Sequence, residues 1–265
     1  MPQTMLTTNN STTLNVLITR PENKAQALVE SLNAINITSI SQPLFDYQPL
    51  ADLQISERLL TNENIIIFVS VAAVEFAHKA FAATNWRFKH IIAVGRATKA
   101  ALKQIGISKI LCPEQENSEG LLALPELNKR FSGEPVTIVR GDSGREHLAT
   151  HIKHQGAQVN YLESYQRVWR TFSEDMGKQW FKQQINCIVI TSNAILEQII
   201  RLTIDHQKQL GSPQQVKYWR NQCLWIVASE RIADKASQFG LTHVIISDGA
   251  SENAISNALK HVEIT

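Results

Sequence analysis

Short, continuously apolar runs alternate along the chain with stretches in which apolar residues recur every three or four positions. Continuous apolar runs are typical of strands in a parallel sheet covered by helices on both faces, whereas a half-exposed sheet alternates apolar and polar residues. The pattern therefore predicts an α/β protein. The predicted strands are Leu14–Thr19, Ile65–Val69, Ile91–Val94, Val136–Val139, Cys187–Thr191, Leu224–Val227 and Val244–Ile246.

The amphipathic stretches predict one helix after each of these strands. Three of the stretches are followed by Gly106, Gly156 and Gly240, at the place where a left-handed residue commonly ends a helix. The predicted helices are Lys24–Asn33, Ala72–Phe81, Thr98–Ile105, Arg145–Gln155, Ala194–Leu202, Ile232–Phe239 and Glu252–His261.

The two halves of the chain resemble each other in the residues that end strands and begin helices. The matched segments are 17–20 with 138–140, 68–70 with 190–192, 93–96 with 226–229, and 118–119 with 251–252. Ser118 and Ser251 are expected to cap the final helix of each half. The additional length of the second half lies mainly in the polar stretch Asp205–Asn221. We therefore expect a duplicated α/β unit, with two similar domains, a cleft between them, and linkers at Asp46–Leu53 and after Tyr165.

Composition limits the class of protein. The 265 residues include 26 Lys and Arg against 24 Asp and Glu, a net charge of +2. A nucleic-acid-binding protein would normally be strongly basic, so no nucleic-acid partner is expected. No apolar run approaches the roughly 20 residues that span a bilayer, and residues 1–13 lack the basic start and apolar centre of a secretory signal. Three dispersed cysteines fit a reducing compartment, and we expect a cytoplasmic enzyme or binding protein.

Familiar motifs are absent or better explained by structure. The chain contains neither the glycine-rich dinucleotide fingerprint nor the nucleoside-triphosphate phosphate loop. Residues 141–144, Gly-Asp-Ser-Gly, are similar to a serine-protease segment, but they lie between a strand and a helix, where Ser143 is expected to cap the helix. His147, His151 and His154 share one helix face and could bind a metal, but a solvated face explains them better.

Polar residues follow the predicted strands repeatedly, at the edge where α/β sheets bind ligands. A serine or threonine there is usually a helix cap. Arginine is harder to explain, because a positive charge at a helix N-terminus opposes the helix dipole unless an anion binds there. We therefore predict a polyanionic ligand, carboxylated or phosphorylated. The residues concerned are Arg20, Ser70, Arg96, Thr98, Arg140, Arg145, Ser192, Ser229 and Arg231.

Taken together, several segments resemble the uroporphyrinogen-III synthase family, in order and in spacing. They are residues 17–21, 93–98, 118–122, 140–141 with 144–146, 156–159, 165–167 and 190–192. The resemblance covers about residues 14 to 259. Residues 227–231, Val-Ala-Ser-Glu-Arg, depart from the usual Gly-Pro-x-Thr of the family and are similar to gammaproteobacterial members.

The resemblance implies two similar, flavodoxin-like parallel-sheet domains joined by a two-stranded linker. One domain would comprise residues 1–45 and 170–265, the other residues 50–163, with linkers at 46–49 and 164–169. Each domain would mix parts of both sequence repeats, and the joint would let a cleft close around the substrate.

The resemblance also implies a reaction, the cyclisation of hydroxymethylbilane to uroporphyrinogen III with inversion of ring D and loss of water. It implies a monomeric enzyme with no metal and no organic cofactor, and a hand-over of substrate from hydroxymethylbilane synthase. Tyr165 matches the family tyrosine that assists departure of the hydroxyl, although a tyrosine that packs the linker is an equal alternative. The residues expected to bind the substrate are Arg20, Ser70, Arg96, Thr98, Arg140, Arg145, Ser192 and Arg231.

Two other classes of protein stay open at this point. A two-lobed protein that binds a small anion without catalysis would also have paired α/β domains, but most such proteins carry an export signal. A ligand-sensing regulatory domain on the same fold would normally carry a DNA-binding or membrane segment. The chain shows neither feature, and we therefore favour the enzyme.

Overall fold

The computed structural model describes residues 13–50, 52–62, 64–142, 146–206, 212–260 and 262. Its internal contacts divide the chain into two compact units. Unit 1 consists of Met1–Asp46 and Trp169–Thr265, and unit 2 consists of Tyr47–Val168. Unit 1 is thus formed by two separate parts of the chain, with unit 2 inserted between them.

Strands and helices alternate through both units. The strands are β1 (Asn15–Ile18), β2 (Thr38–Ser41), β3 (Phe45–Pro49), β4 (Asn64–Phe68), β5 (Phe88–Ala93), β6 (Ile110–Leu111), β7 (Pro135–Gly141), β8 (Gln158–Trp169), β9 (Cys187–Ile190), β10 (Leu224–Val227) and β11 (Val244–Ile246). The α-helices are α1 (Glu22–Asn33), α2 (Leu53–Leu60), α3 (Val71–Ala80), α4 (Arg96–Gln104), α5 (Ser118–Leu122), α6 (His147–His154), α7 (Met176–Lys182), α8 (Asn193–Ile200), α9 (Pro213–Asn221), α10 (Glu230–Gln238) and α11 (Glu252–Lys260). A 3-10 turn, Ala83–Asn85, follows α3, and a π-helical segment, Arg201–Asp205, continues α8.

The described part of unit 1 contains a five-stranded sheet in the order β2-β1-β9-β10-β11, and its neighbouring strands are parallel. Numbered along the chain within the unit, this is the order 2-1-3-4-5 of flavodoxin-like folds. The sheet of unit 2 has the order β3-β8-β7-β4-β5-β6, in which β4 to β8 form parallel pairs. Both sheets confirm the predicted α/β class.

The strand orders show how the repeats are distributed. If β7 and β8 of unit 2 are taken as its first two strands, its order also becomes 2-1-3-4-5. The strands that correspond between the units are then β1 with β7, β2 with β8, β4 with β9, β5 with β10, and β6 with β11. Each sheet therefore combines the start of one sequence repeat with the end of the other.

Alternate residues of one strand pack on opposite faces of the sheet, and this explains the continuous apolar runs. In β4, Ile66 and Phe68 belong to one hydrophobic cluster, while Ile65 and Ile67 belong to another. All four are buried, because helices cover both faces. Burying such a side chain contributes about 1.5–3 kcal/mol to folding.

The predicted strands and helices are all present in the described residues, with ends shifted by one to a few residues. Gly106, Gly156 and Gly240 have the expected positive φ, at 91°, 100° and 75°. The prediction for Ser118 was wrong, because Asn117 caps α5 by accepting the Gly120 amide at 2.8 Å. The predicted cap Ser143 lies outside the described residues.

Several elements were not predicted. They are shorter or more polar than the predicted ones, and they are β2, β3, β6, β8, α2, α7 and α9. Helix α9 lies within the polar stretch that makes the second half of the chain longer than the first. No helix among the described residues is long and apolar enough to cross a membrane.

Candidate active site

The carboxyl end of β4 leads directly into a capped helix in unit 2. Ser70 has an extended backbone, and its Oγ accepts a hydrogen bond from the Ala73 amide at 3.0 Å. This bond satisfies one of the amides that the first turn of α3 leaves unpaired. The serine hydroxyl is thereby fixed at the edge of the sheet where α/β proteins bind ligands.

The hydroxyl of Tyr165 lies beside this cap. Its Oη is 3.2 Å from Oγ of Ser70, and the tyrosine is only 9% exposed. Its ring makes an edge contact with Tyr47, with centroids 4.8 Å apart, and a tilted contact with Phe76 at 5.6 Å. The ring is therefore held on two sides by aromatic side chains, and its phenol oxygen lies at the start of α3.

A glycine makes room for this ring. Gly141 at the end of β7 pairs with Tyr165 of β8, where the register between the two strands shifts. A Cβ on residue 141 would stand 2.8 Å from Cε2 of the tyrosine, closer than side chains tolerate. Ser164 supports the same corner, with its Oγ 3.3 Å from the carbonyl oxygens of Ala73 and Arg140.

Tyr47 contributes a second phenol close to the first. Burial raises the pKa of Tyr47, and the neighbouring Tyr165 adds to this effect, while Arg167 opposes it. Tyr47 is thus a neutral phenol at physiological pH, and it restricts the space around Tyr165.

Arg140 lies at the predicted edge, but its charge is already paired. Its guanidinium donates to Glu146 at 2.7 Å and to Glu163 at 3.0 Å, and it stacks on Tyr161, with 3.7 Å from Cζ to the ring centroid. Burial by itself lowers the pKa of Arg140, but the two carboxylate bonds outweigh burial and raise it. Arg140 therefore holds the start of α6 against β8. Its one positive charge is neutralised by the two carboxylates, of Glu146 and Glu163.

Tyr161 completes this group. Its hydroxyl donates to Glu146. Burial, together with that hydrogen bond, raises the pKa of Tyr161 to about 12, and the same bond, with Arg140, lowers the pKa of Glu146. The four side chains form one connected charged network on the surface of unit 2.

Arg96 is an exposed cation at a helix start in unit 2. It begins α4 after Gly95, its side chain is 86% exposed, and its Nε lies 3.4 Å from Oε1 of Glu116. The other carboxylate oxygen lies so close to Gly95 that a Cβ there would overlap it. Thr98, two residues along the helix, is buried. A carboxylate of the protein therefore lies at the first turn of α4.

In unit 1, Arg20 is a buried structural cation. It follows β1, is 5% exposed, and donates a hydrogen bond to the carbonyl oxygen of Ala250. Burial lowers the pKa of Arg20, and the charge of Glu252 opposes that effect. The arginine ties the loop before α11 to the end of β1, so its side chain is not open to a ligand.

The other two predicted residues of unit 1 lie at helix starts. Ser192 caps α8, with its Oγ accepting from the Ile195 amide at 3.3 Å. Arg231 is exposed in the first turn of α10. Ser192 corresponds to Ser70 of unit 2, because α8 and α3 follow corresponding strands. Arg231 lies in α10, which corresponds to the helix α4 that Arg96 begins.

The structure thus brings Ser70 and Tyr165 together and leaves Arg96 and Arg231 exposed, whereas Arg20 and Arg140 are engaged by the protein itself. Arg145 lies outside the described residues. Sequence reasoning missed Tyr47 and Glu116. An aromatic residue in each predicted linker, Tyr47 and Tyr165, was the signal that could have identified the first.

The three histidines of α6 were the other candidate site, as possible ligands of a metal ion. His147, His151 and His154 are exposed on α6, as a solvated face requires. Among the residues that the structure describes, no group of three or more His, Cys, Asp or Glu side chains could hold a metal ion.

Comparison with known proteins gives a consistent result. A family model described as uroporphyrinogen-III synthase HemD matches residues 15–257. A uroporphyrinogen-III synthase of Salmonella typhimurium is 31% identical over 93% of this chain and 100% of its own length, and one of Escherichia coli is 29% identical over the same shares.

Solved structures share the fold. A mutant uroporphyrinogen III synthase from Thermus thermophilus superposes with a TM-score of 0.59 at 11% identity, covering 93% of this chain and 96% of the other. A synthetase from Helicobacter pylori has a TM-score of 0.54 at 12% identity, covering 93% and 98%. At these identities the likeness concerns the fold.

Proposed function

Since the chain belongs to the uroporphyrinogen-III synthase family, we infer that it is the lyase that cyclises hydroxymethylbilane to uroporphyrinogen III. Ring D is inverted and water is lost, in the biosynthesis of haem and other tetrapyrroles. The observation that carries this conclusion is the similarity along the full length of a named synthase. A small-anion binding protein or a ligand sensor would not require it.

The reaction begins with loss of the terminal hydroxyl. The C–O bond breaks as the lone pair of the pyrrole nitrogen pushes electrons through the ring to form an exocyclic C=C bond. The leaving oxygen departs as water when an acid supplies a proton. The product is an electrophilic azafulvenium cation, which the substituted end of ring D attacks to give a spiro intermediate. The original bond between that end and its methylene bridge then breaks, and the bridge carbon bonds to the free end of ring D, which inverts the ring and releases one proton. Proton donation to a leaving group contributes typically 10²-fold or more to a rate.

Tyr165 is the proposed proton donor. Its phenol lies at the carboxyl edge of the unit 2 sheet, held by aromatic rings and next to Ser70. Donation of its proton to the leaving oxygen gives a phenolate and a cationic pyrrole of equal and opposite charge. The proton that the free end of ring D loses in the final ring closure returns the phenolate to its neutral form.

The acetate and propionate groups of the four rings need positive partners. Arg96 and Arg231 are exposed at helix starts and fit this role, together with the nearby helix amides. Thr98 is buried in the first turn of the helix that Arg96 begins, and Ser192 caps α8. Arg20 and Arg140 are engaged by carbonyl and carboxylate oxygens, so we propose that they act by shaping the site. A role for Arg145 stays a prediction.

Control of the substrate's conformation is the second part of the task. Without an enzyme the open chain closes without inversion. Carboxylate contacts that hold the chain folded would make the inverting route the faster one. If Tyr165 donates the proton and the arginines hold the substrate carboxylates, changes at Tyr165 should affect the rate. Changes at the arginines should affect both substrate binding and the isomer that is formed.

Finer expectations belong to the same proposal. The enzyme would act as a monomer in the cytoplasm, with no metal or organic cofactor. A substrate that closes spontaneously to the wrong isomer favours direct hand-over from hydroxymethylbilane synthase. The domain boundaries drawn from the family, and the closing of a cleft, stay predictions.

One experiment tests the function. The purified protein is given hydroxymethylbilane, the products are oxidised, and the porphyrin isomers are resolved by chromatography. We expect isomer III, in excess over an enzyme-free control that gives isomer I. Isomer I alone would overturn the assignment.

A further inference from the structure

We propose that Ser70 is a positioning residue for Tyr165: its hydroxyl, held by the first turn of α3, donates the hydrogen bond that directs the phenol proton of Tyr165 to the leaving oxygen. The inference rests on the proton-donor role of Tyr165 proposed above. It changes the expected role of Ser70 from binding a substrate carboxylate to acting through the tyrosine.

The geometry places Ser70 between two partners. Its Oγ accepts from the Ala73 amide at 3.0 Å and lies 3.2 Å from Oη of Tyr165. A serine hydroxyl has one proton and two acceptor positions. With one acceptor position used by the amide, the hydroxyl can still donate its proton to the phenol oxygen.

The number of available protons determines which hydroxyl donates in the hydrogen bond between Ser70 and Tyr165. A phenol also has only one proton. When Tyr165 directs that proton to the leaving oxygen, the bond between the two hydroxyls must use the proton of Ser70. The amide of Ala73 polarises the serine O–H, because hydrogen bonds in series strengthen one another. After proton transfer the same serine proton stabilises the phenolate oxygen.

The aromatic contacts do not supply this direction. Tyr47 and Phe76 hold the plane of the Tyr165 ring, and Gly141 allows the ring to approach the backbone. None of these contacts fixes the rotation of the phenol hydroxyl about its C–O bond. A hydrogen bond from Ser70 does, because it occupies one side of the oxygen.

The test compares kcat and KM in a double-mutant cycle. Ser70→Ala is expected to lower kcat about tenfold, the effect of losing one good hydrogen bond, with little change in KM. In the Tyr165→Phe background the same change should lower kcat no further, because no phenol remains to be positioned. An equal loss in both backgrounds would mean a capping role alone and would overturn the proposal.

Two further variants separate positioning from folding. Ser70→Asp keeps a capping oxygen for α3, but an ionised carboxylate only accepts hydrogen bonds. It should fold and be at least as slow as Ser70→Ala, and wild-type kcat in this variant would contradict the inference. Ser70→Thr keeps the hydroxyl and should retain kcat within about threefold.

A matched control tests the general effect of losing a helix cap in unit 2. Asp52 caps α2 by accepting the Ile55 amide at 2.8 Å and is exposed. Asp52→Ala should lower thermal stability and leave kcat unchanged. If Asp52→Ala lowered kcat as much as Ser70→Ala does, the loss would come from the unit's stability and the proposal would fail.

A measurement without substrate separates this inference from the proposed function. The tyrosine Fermi doublet in the ultraviolet resonance Raman spectrum reports whether a phenol donates or accepts a hydrogen bond. Ser70→Ala should change it in the wild-type background and not in Tyr165→Phe. Unchanged spectra would overturn the Ser70 contact even if the protein makes isomer III. A changed spectrum with isomer I alone would support the contact and overturn the function.

Discussion

The ring of Tyr165 lies against Gly141, so that a Cβ on residue 141 would be 2.8 Å from Cε2 and 2.9 Å from Cζ of the ring. The amide of Asp142 also donates to the carbonyl oxygen of Tyr165 at 2.9 Å. The absence of a side chain at residue 141 therefore allows the phenol to reach Ser70.

Gly141→Ala should displace the tyrosine ring. We expect a loss of about 1–3 kcal/mol in the free energy of unfolding, typical of overpacking, together with a lower kcat. Gly106→Ala is the control, because Gly106 has a φ of 91° and nothing within 4 Å of an added Cβ. It should lose about 1–2 kcal/mol through backbone strain, with kcat unchanged. Denaturant unfolding and initial rates measure both effects.

Tyr165→Phe should lower kcat about 10²-fold, because it removes the phenol that donates the proton. The product should still be isomer III, because the conformation in which the substrate is held does not change. Tyr218→Phe is a suitable comparison, since Tyr218 donates to the carbonyl oxygen of Ile185 in unit 1. It should leave kcat unchanged. Wild-type turnover in Tyr165→Phe would show that this residue only packs the structure.

Arg96 and Glu116 should have opposite effects on substrate affinity. Arg96→Ala is expected to raise KM about tenfold, through loss of a charge-assisted hydrogen bond to a substrate carboxylate. Glu116→Gln should lower KM by a few fold, because the protein's own carboxylate, 3.4 Å from Arg96, no longer competes.

Lys103, exposed in the last turn of α4, is the control for charge on that helix. Lys103→Ala should leave KM within about twofold, since the expected anion site is at the other end. Initial rates over a range of substrate concentrations give these values. A KM that rises equally in Lys103→Ala would point to a general effect of net charge.

The ion pair between Asp46 and Arg170 should make stability depend on pH. Arg170 donates to both carboxylate oxygens, at 2.7 Å and 2.8 Å, and these bonds lower the pKa of Asp46 below 3.8. A lowered folded pKa means that the contribution is present above 3.8 and is lost as pH falls through the folded value.

Asp46→Asn should therefore cost at most about 1 kcal/mol at pH 7, since the pair is partly exposed, and progressively less below pH 3.8. Urea unfolding of both proteins at several pH values measures the difference. The same cost at pH 3 and pH 7 would mean that charge is not the cause.

The hydrophobic pattern by itself determined the central strands and their helices. Each side of β4 is covered, so Ile65 to Phe68 had to be apolar without a break. Strand β2 lies at an edge of its sheet and reads Thr-Ser-Ile-Ser. An edge strand buries less surface, so its sequence carries a weaker signal. The family and its reaction could also be read from short motifs in order.

Only the tertiary structure decided which repeat supplies each strand and what each polar residue touches. Arg20 follows β1 and Arg140 lies near the end of β7, and both are engaged by the protein itself, through Ala250, Glu146 and Glu163. Arg96 and Arg231 lie at helix starts and are exposed. Ser70 and Tyr165 are 95 residues apart and meet through the pairing of β4 with β7 and of β7 with β8. Local sequence fixes where a helix or strand forms, but long-range packing fixes which partners meet, because those contacts join residues with no local relation.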